Sequence, residues 1–248
     1  MKELIYGIHS IENLLFFTPK RFIKVFIFKN RNDLRIKNII NNLNKNNILI
    51  KFCNKVFLNK KCNGLIHQGI IAEIYKNKKY SEKNIYNILK NTIKPLLLIL
   101  DCITDPRNLG ACIRNAYASG VNIIIIPKKN SAKINSLVKK VSCGVCDNIP
   151  IISVVNLSRT LFFLKKINIV IIGATHKSNN LFYNINYNIP LALIFGSENK
   201  GIRKLTSKLC DLLISIPMKG NILSLNVSVA TGIVLFEVIR QRFYLNFK

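Results

Sequence analysis

From Pro95 onward no apolar run survives more than five residues before a polar, turn-forming stretch cuts it off. Leu96–Leu100 stops at Asp101, and Ile123–Ile126 stops at Pro127. Ile169–Ile172, Leu191–Phe195 and Asp211–Ile216 read the same way, with a shorter extended piece at Ile151–Val154. Runs so short and so uniformly apolar fit strands buried on both faces of a parallel sheet. Helical patterns separate them. Asn108–Ser119 ends at Gly120, a residue suited to a left-handed stop. Ile134–Val141 and Leu157–Leu164 follow, and Asn226–Arg242 predicts a long terminal helix burying Val229, Ile233, Phe236, Val238 and Ile239. Strand and helix in alternation predict an α/β fold, a parallel sheet covered on both sides.

Residues 1–76 form a smaller α/β pattern. A helix begins near His9, with Ser10, Asn13, Leu14 and Leu15. Strands are predicted at Val25–Phe28, Ile48–Phe52 and Gly69–Tyr75, and Ile36, Ile39, Ile40 and Leu43 fall at helical spacing. The polar run starting at Lys76 marks a boundary. The predicted organisation is therefore a domain over 1–76, a linker over 77–92 carrying a short helix at Ile85–Leu89, and a larger domain over 93–248. No run approaches the ~18 apolar residues of a spanning helix, and no secretory signal is visible at Met1–Gly7. Seven cysteines, an odd number, then read as reduced thiols, and the expected location is cytoplasmic.

The net charge is +27, from 38 basic and 11 acidic residues. A bias toward Asn, Ile and Lys, the signature of an AT-rich genome, accounts for a share of it. The remainder favours a polyanionic partner. Residues 1–80 hold 16 basic and 4 acidic residues, net +12; residues 81–248 hold 22 and 7, net +15 over twice the length.

Several common chemistries are disfavoured. No G-x-G-x-x-G follows a strand, so an ordinary dinucleotide site is not indicated. Gly196 and Gly201 have Walker A spacing, but Ile202 and Arg203 stand where Lys and Ser/Thr are required. Cys143 and Cys146 form a C-x-x-C without a second ligand pair, and His9, His67 and His176 are not at metal-ligand spacing, so no metal is expected.

Three segments place polar residues after strands, where ligands of open α/β sheets bind. The first runs Asp101 to Arg114, with Asn108 as a candidate helix cap and Arg114 nearly two turns on, assigned to a buried face. The second is Gly196-Ser197-Glu198-Asn199-Lys200-Gly201, whose glycines allow close backbone approach to a flat ligand. The third is Ile216-Pro217-Met218 followed by Ser224, Leu225, Asn226 and Ser228 at a helix start; capping explains one of these polar residues but not three. Spacing alone supports a nucleotide-like ligand and goes no further.

These segments resemble the motifs of the SpoU/TrmH family of RNA ribose methyltransferases. Asn108, Gly110 and Arg114 match its Asn-x-Gly-x-x-x-Arg. Gly196, Glu198 and Gly201 match its Gly-x-Glu-x-x-Gly. Ile216–Met218 and Ser224–Ala230 match its third motif. Tyr6–His9 and His67–Ile70 resemble the ends of the family's small RNA-binding domain, so the likeness spans nearly the whole chain.

The resemblance implies a SPOUT-type catalytic domain with a C-terminal trefoil knot, preceded by an RNA-binding domain like that of ribosomal protein L30e. It implies S-adenosyl-L-methionine as cofactor, held mainly by backbone at Gly196, Ile216 and Leu225, with Ala174, Thr175 and Gly201 adjacent. The implied reaction is 2′-O-methylation of a guanosine ribose in 23S rRNA, in the peptidyl-transferase region, by a homodimer. A transfer-RNA substrate, or a basic RNA-associated protein with a vestigial site, are the alternatives. Arg114, Asn108, Glu198, Ser224 and Asn226 match the family's catalytic and positioning residues. Arginine stays protonated in proteins, so Arg114 is read as an electrostatic stabiliser of the forming alkoxide, with Glu198 expected to hold it or a backbone amide.

Overall fold

The computed structural model describes residues 2–64, 66–76, 80–198, 200–220, 222 and 224–244. Contacts divide the chain into two units, Met1–Lys79 and Tyr80–Lys248. Residues 77–79 of the expected linker lie outside the described residues.

The first unit runs β1 (Lys2–Tyr6), α1 (Ile8–Phe17), β2 (Phe22–Phe28), α2 (Leu34–Lys45), β3 (Leu49–Cys53), α3 (Lys55–Lys61) and β4 (Ile70–Tyr75). Its sheet has the order β1-β4-β2-β3, antiparallel except for the β2/β3 pair. Val25 and Ile27 point to one face with Ile70, Ala72 and Ile74, where Ile11, Leu15, Ile36, Ile39 and Leu43 cover them. Phe26 and Ile71 point to the other, under Leu58 of α3. Both faces are apolar along β2, the two-sided burial its unbroken apolar run predicts. Asp33 caps α2 by accepting from Ile36 N–H, and Asn54 caps α3 from Phe57 N–H.

The second unit contains α4 (Ile85–Leu89), β5 (Leu96–Asp101), α5 (Pro106–Ala118), β6 (Ile123–Pro127), α6 (Ser136–Val141), β7 (Ile151–Val154), α7 (Leu157–Lys166), β8 (Val170–Ala174), β9 (Leu191–Gly196), α8 (Lys204–Lys208), β10 (Leu212–Ile214) and α9 (Val227–Ile239), which continues as a π-helical turn over Arg240–Tyr244. The six strands are parallel, in the order β10-β8-β9-β5-β6-β7. β5 is buried at every residue, including Asp101. Ile85 and Leu89 join the core formed by Leu97, Ile99, Ile125, Leu161, Leu164 and Ile194.

Three details differ from what the sequence predicts. α5 begins at Pro106, and Asp105, not Asn108, is its cap, accepting from Arg107 N–H. Proline fits the first turn because its missing N–H would be unbonded there anyway. Asn108 is thereby freed to point elsewhere. Arg114 is exposed, not on the buried face; Leu109, Cys112, Ile113 and Ala116 form that face. In α9 the buried set is Val227, Thr231, Val234, Leu235 and Val238, whereas Val229 and Phe236 are half-exposed.

β10 is held on both flanks. Thr175 N–H donates to Ile214 C=O at 2.8 Å on the β8 side. On the other side Leu213 C=O accepts from Ser178 and Asn180, Ser215 N–H donates to Asn180 C=O, and Phe182 N–H donates to Ser215 C=O. The segment after β8 thus reaches over β10 and pairs with its far edge.

Candidate functional site

Ala174, Gly196 and Asp101 end β8, β9 and β5, with Ile214 ending β10 beside them, so the carboxyl ends of four adjacent strands form one edge. A cleft of about 500 Å³ opens along this edge, lined among others by Ile103, Thr104, Asn108, Glu198, Gly201 and Arg203.

The three sequence motifs meet there. Glu198 Oε1 accepts from Asn108 Nδ2 and from Asn226 Nδ2, the latter at 2.8 Å. Asn226 Nδ2 also donates to Asn108 Oδ1 at 3.0 Å. Asn226 Oδ1 then caps α9, accepting from Ser228 N–H at 2.8 Å and Ser228 Oγ–H at 2.7 Å. A carboxylate that gathers two primary amides fixes both amide planes, because only the NH₂ side can donate. Glu198 therefore holds Asn108 and Asn226, not Arg114.

The Gly196–Gly201 loop doubles back tightly. Gly201 N–H donates to Ser197 C=O at 2.7 Å, and a Cβ placed on Gly196 would overlap the Gly201 carbonyl. Gly201 adopts φ +64°, a left-handed conformation open to glycine. Ser197, Glu198, Lys200 and Gly201 of the loop line the cleft. Asn199 lies outside the described residues.

Beneath the loop sits a pair that no sequence motif marks. Asp101 is fully buried, and Arg203 closes on it through Nε at 2.8 Å, Nη2 at 2.6 Å and its own backbone N–H at 3.2 Å. The Asp101 carboxylate raises the Arg203 pKa above its ordinary value. In the sequence Asp101 stops a strand and opens the first polar segment, and Arg203 reads only as a failed Walker residue; no local pattern pairs positions so far apart.

Arg114 lies elsewhere. It lines a second concavity with Ala111, Asn115, Val141, Ser228, Val229 and Gly232. A six-residue offset turns the helix through about 240°, so Asn108 and Arg114 cannot share a face. Asn115 Nδ2 donates to Ser228 C=O at 2.8 Å, tying α5 to the start of α9. Of the remaining expected residues, Ile216 and Leu225 are half-buried, Ser224 is exposed, and Thr175 is half-buried with its Oγ accepting from Lys177 N–H.

All seven cysteines are free. Burial pushes the Cys112 thiol up to about 12 and the Cys210 thiol up to about 11, so both stay protonated and weakly nucleophilic at neutral pH. Among the described residues, no group of three or more His, Cys, Asp or Glu side chains is placed to hold a metal ion. No described helix is long and apolar enough to cross a membrane.

A parallel sheet with three motif loops converging on its carboxyl edge, in a chain matching the SpoU rRNA Methylase family over residues 95–236, defines the class: the chain belongs to that family. Residues 4–80 match the RNA 2′-O ribose methyltransferase substrate binding family. Among relatives, the 23S rRNA (guanosine-2′-O-)-methyltransferase RlmB of Pectobacterium atrosepticum is 47% identical over 242 residues, covering 98% of this chain and 99% of that protein. The RlmB of Escherichia coli K12 is 46% identical, covering 98% and 100%. The crystal structure of the SpoU methyltransferase AviRb from Streptomyces viridochromogenes with AdoMet superposes at TM-score 0.70 over 97% of this chain and 90% of its own; at 20% identity it speaks for the fold alone.

Proposed function

We propose that this chain transfers a methyl group from S-adenosylmethionine to the 2′-hydroxyl of a guanosine ribose in 23S rRNA, acting in ribosome maturation. The observation that carries the reading is the convergence of the three motif loops on one network, Asn108–Glu198–Asn226, in a chain alike end to end to relatives of that activity.

The residues fit the cofactor. A Cβ on Gly196 would overlap the Gly201 backbone, so only glycine lets the loop close tightly at the strand ends, where main-chain groups of Gly196 and Gly201 stay open to a ligand. Gly196, Ile216 and Leu225 are assigned to hold it by main-chain groups, with Ala174, Thr175 and Gly201 beside them. The cofactor supplies an electrophilic methyl on sulfonium. This chain's residues must align the attacking oxygen with it and stabilise the charge that develops as the hydroxyl loses its proton. Asn108 spends one amide hydrogen on Glu198 and keeps one to donate to a ribose oxygen. Glu198 and Asn226 fix its orientation. Arg114 and Ser224 are assigned to the RNA, Arg114 as the cation facing the forming alkoxide.

Arg114 belongs to a concavity separate from the Asn108 cleft, and this favours a homodimer in which the arginine of one copy serves the cleft of the other. α9 is apolar nearly all round, as buried helices are, yet Val229 and Phe236 face outward. This is the face assigned to the second copy. Phe236→Glu is expected to convert a dimer to a monomer in light scattering.

A trefoil knot is part of the proposal, supported by the clasp that the Ser178–Phe182 segment forms over β10. The first unit is assigned to RNA docking, with a fold of the ribosomal-protein L30e type, and the site of action is the cytoplasm. The deciding experiment maps 2′-O-methyl marks in 23S rRNA from cells lacking the protein. A missing guanosine mark restored by the gene supports the reading, and an unchanged map, or a missing mark in transfer RNA instead, overturns it.

A further inference from the structure

We propose that Asp101 and Arg203 are positioning residues that clamp the Gly196–Gly201 loop against the end of β5, and so set the affinity of the Gly196 and Gly201 backbone for the cofactor. The inference rests on the reading of that backbone as part of the cofactor site.

The loop leaves the sheet at Gly196, whose strand partner is Asp101. It folds back through the Ser197–Gly201 bridge and ends at Arg203. From there both the backbone N–H and the guanidinium return to the carboxylate beside which the loop began. Each end of the loop is thus fixed to β5, one by the strand ladder and one by the ion pair. Between the two ends stands Glu198, which holds Asn108 and Asn226. Movement of Arg203 would therefore reach the backbone of the cradle first and the amides second.

The pair is asymmetric. Asp101 is completely buried, whereas the Arg203 side chain is 47% exposed. A buried carboxylate needs its partner, because unpaired it has neither water nor a counter-charge. Arg203 has no such need and would be well solvated if the loop swung out. The buried carboxylate is thus the post and the arginine the latch that the loop carries to it. Cys102, next to Asp101, sits at φ +63°, an uncommon backbone state for a residue with a side chain, which turns the chain sharply away after the post. Ile202, between loop and latch, packs against Gly173 of β8, where an added Cβ would meet its Cδ1 at 3.0 Å. The latch therefore also seals the loop against the strand that carries Ala174.

The test uses the full chain and three variants. Arg203→Lys keeps a cation but loses the two-pronged grip. Arg203→Met leaves the buried carboxylate alone. The double variant Asp101→Asn, Arg203→Met removes both charges together and so keeps the protein folded where the single change does not. Calorimetry with S-adenosylmethionine should show affinity falling about threefold in Arg203→Lys and about tenfold or more in the double variant. Transfer to RNA at saturating cofactor should fall less than the affinity does, since Asn108 and Arg114 remain. Amide hydrogen exchange should accelerate at residues 200–203 and stay unchanged in β6 and β7. A double variant that binds cofactor as the parent does, with loop exchange unaltered, overturns the clamp. Failure of the parent protein to bind S-adenosylmethionine at all would count against the cofactor reading instead, and the exchange measurement would still decide the clamp.

Discussion

Arg114 and Glu198 show how much a motif conveys and where it stops. Spacing and resemblance identify both residues, but not their neighbours. A helical pattern cannot place Arg114 on the buried face when Ile113 and Cys112 already fill it, and it cannot reveal that Glu198 is met by amides from two other segments. Asp101 is illegible as a functional residue because its partner is 102 positions away. Arg114→Ala should reduce methyl transfer by about a hundredfold or more, the scale of removing one preorganised stabilising donor, and leave cofactor affinity within about twofold; single-turnover kinetics beside calorimetry separates the two. Substantial turnover in this variant sinks the assignment. His67 gives a different prediction. Its Nδ1 accepts from Gly69 N–H at 3.0 Å, so the ring proton is on Nε2, shared with Asn59 Oδ1 at 2.8 Å. Burial, and then the nearby Lys55 charge, lower its pKa. The folded state thus resists a proton that the unfolded chain accepts near pH 6.5. The stability contribution is fully present above that pH and is lost as pH falls through the lowered folded value. Urea midpoints of the first unit should drop from pH 7.5 to pH 5, and His67→Gln should flatten that slope. Equal slopes in parent and variant would remove His67 as the cause.

Elements are legible where apolar periodicity is strong. The strands at 96, 123, 151 and 191 and the helices at 85 and 157 fall where the pattern puts them, because deep burial writes an unbroken apolar run into the sequence. β1, α3 and α8 carry no such signal. β1 alternates exposed and half-buried residues, α3 buries only Leu58, and α8 buries only Thr206. The terminal helix differs in phase from its prediction, since a helix apolar on every side offers no moment by which to choose its buried stripe. Sheet order is beyond the sequence altogether. It is fixed by which loops reach over which strands, as in the clasp around β10. The Gly196–Gly201 loop makes the element-scale prediction. Gly196 needs no unusual φ; it needs space, and a methyl group would overlap the Gly201 backbone. Backbone cannot yield as a flexible side chain does, so Gly196→Ala should cost about 1–3 kcal/mol of stability, the usual penalty for overpacking. It should also abolish measurable cofactor binding while far-ultraviolet circular dichroism stays native. Parental affinity in this variant would mean that the loop is not the cradle.

At the scale of the whole molecule the question is what the +27 charge accomplishes. Composition bias spreads lysine everywhere, so the total is weak support for RNA binding; its distribution says more. In the first unit all four acidic side chains are already engaged: Glu3 with Arg21, Glu12 with Arg35, Asp33 with Arg31 and Glu73 with Lys2. Sixteen basic residues against four acidic ones leave residues 1–80 with a net charge of +12. Phosphate is the natural complement, and each phosphate neutralised releases counterions. Removing residues 1–79 should therefore weaken rRNA binding and flatten its dependence on salt, by about 0.7–0.9 in slope for every phosphate that the first unit neutralises. Cofactor binding by the second unit, which has its own buried core of Leu97, Ile99, Ile125, Leu161 and Ile194, should persist. That persistence shows the truncated chain is folded, so that any fall in RNA affinity is attributable to the missing charges. Should the shortened protein bind RNA with the parent's affinity and salt slope, docking would lie in the second unit, and the surplus lysines of the first would be composition alone.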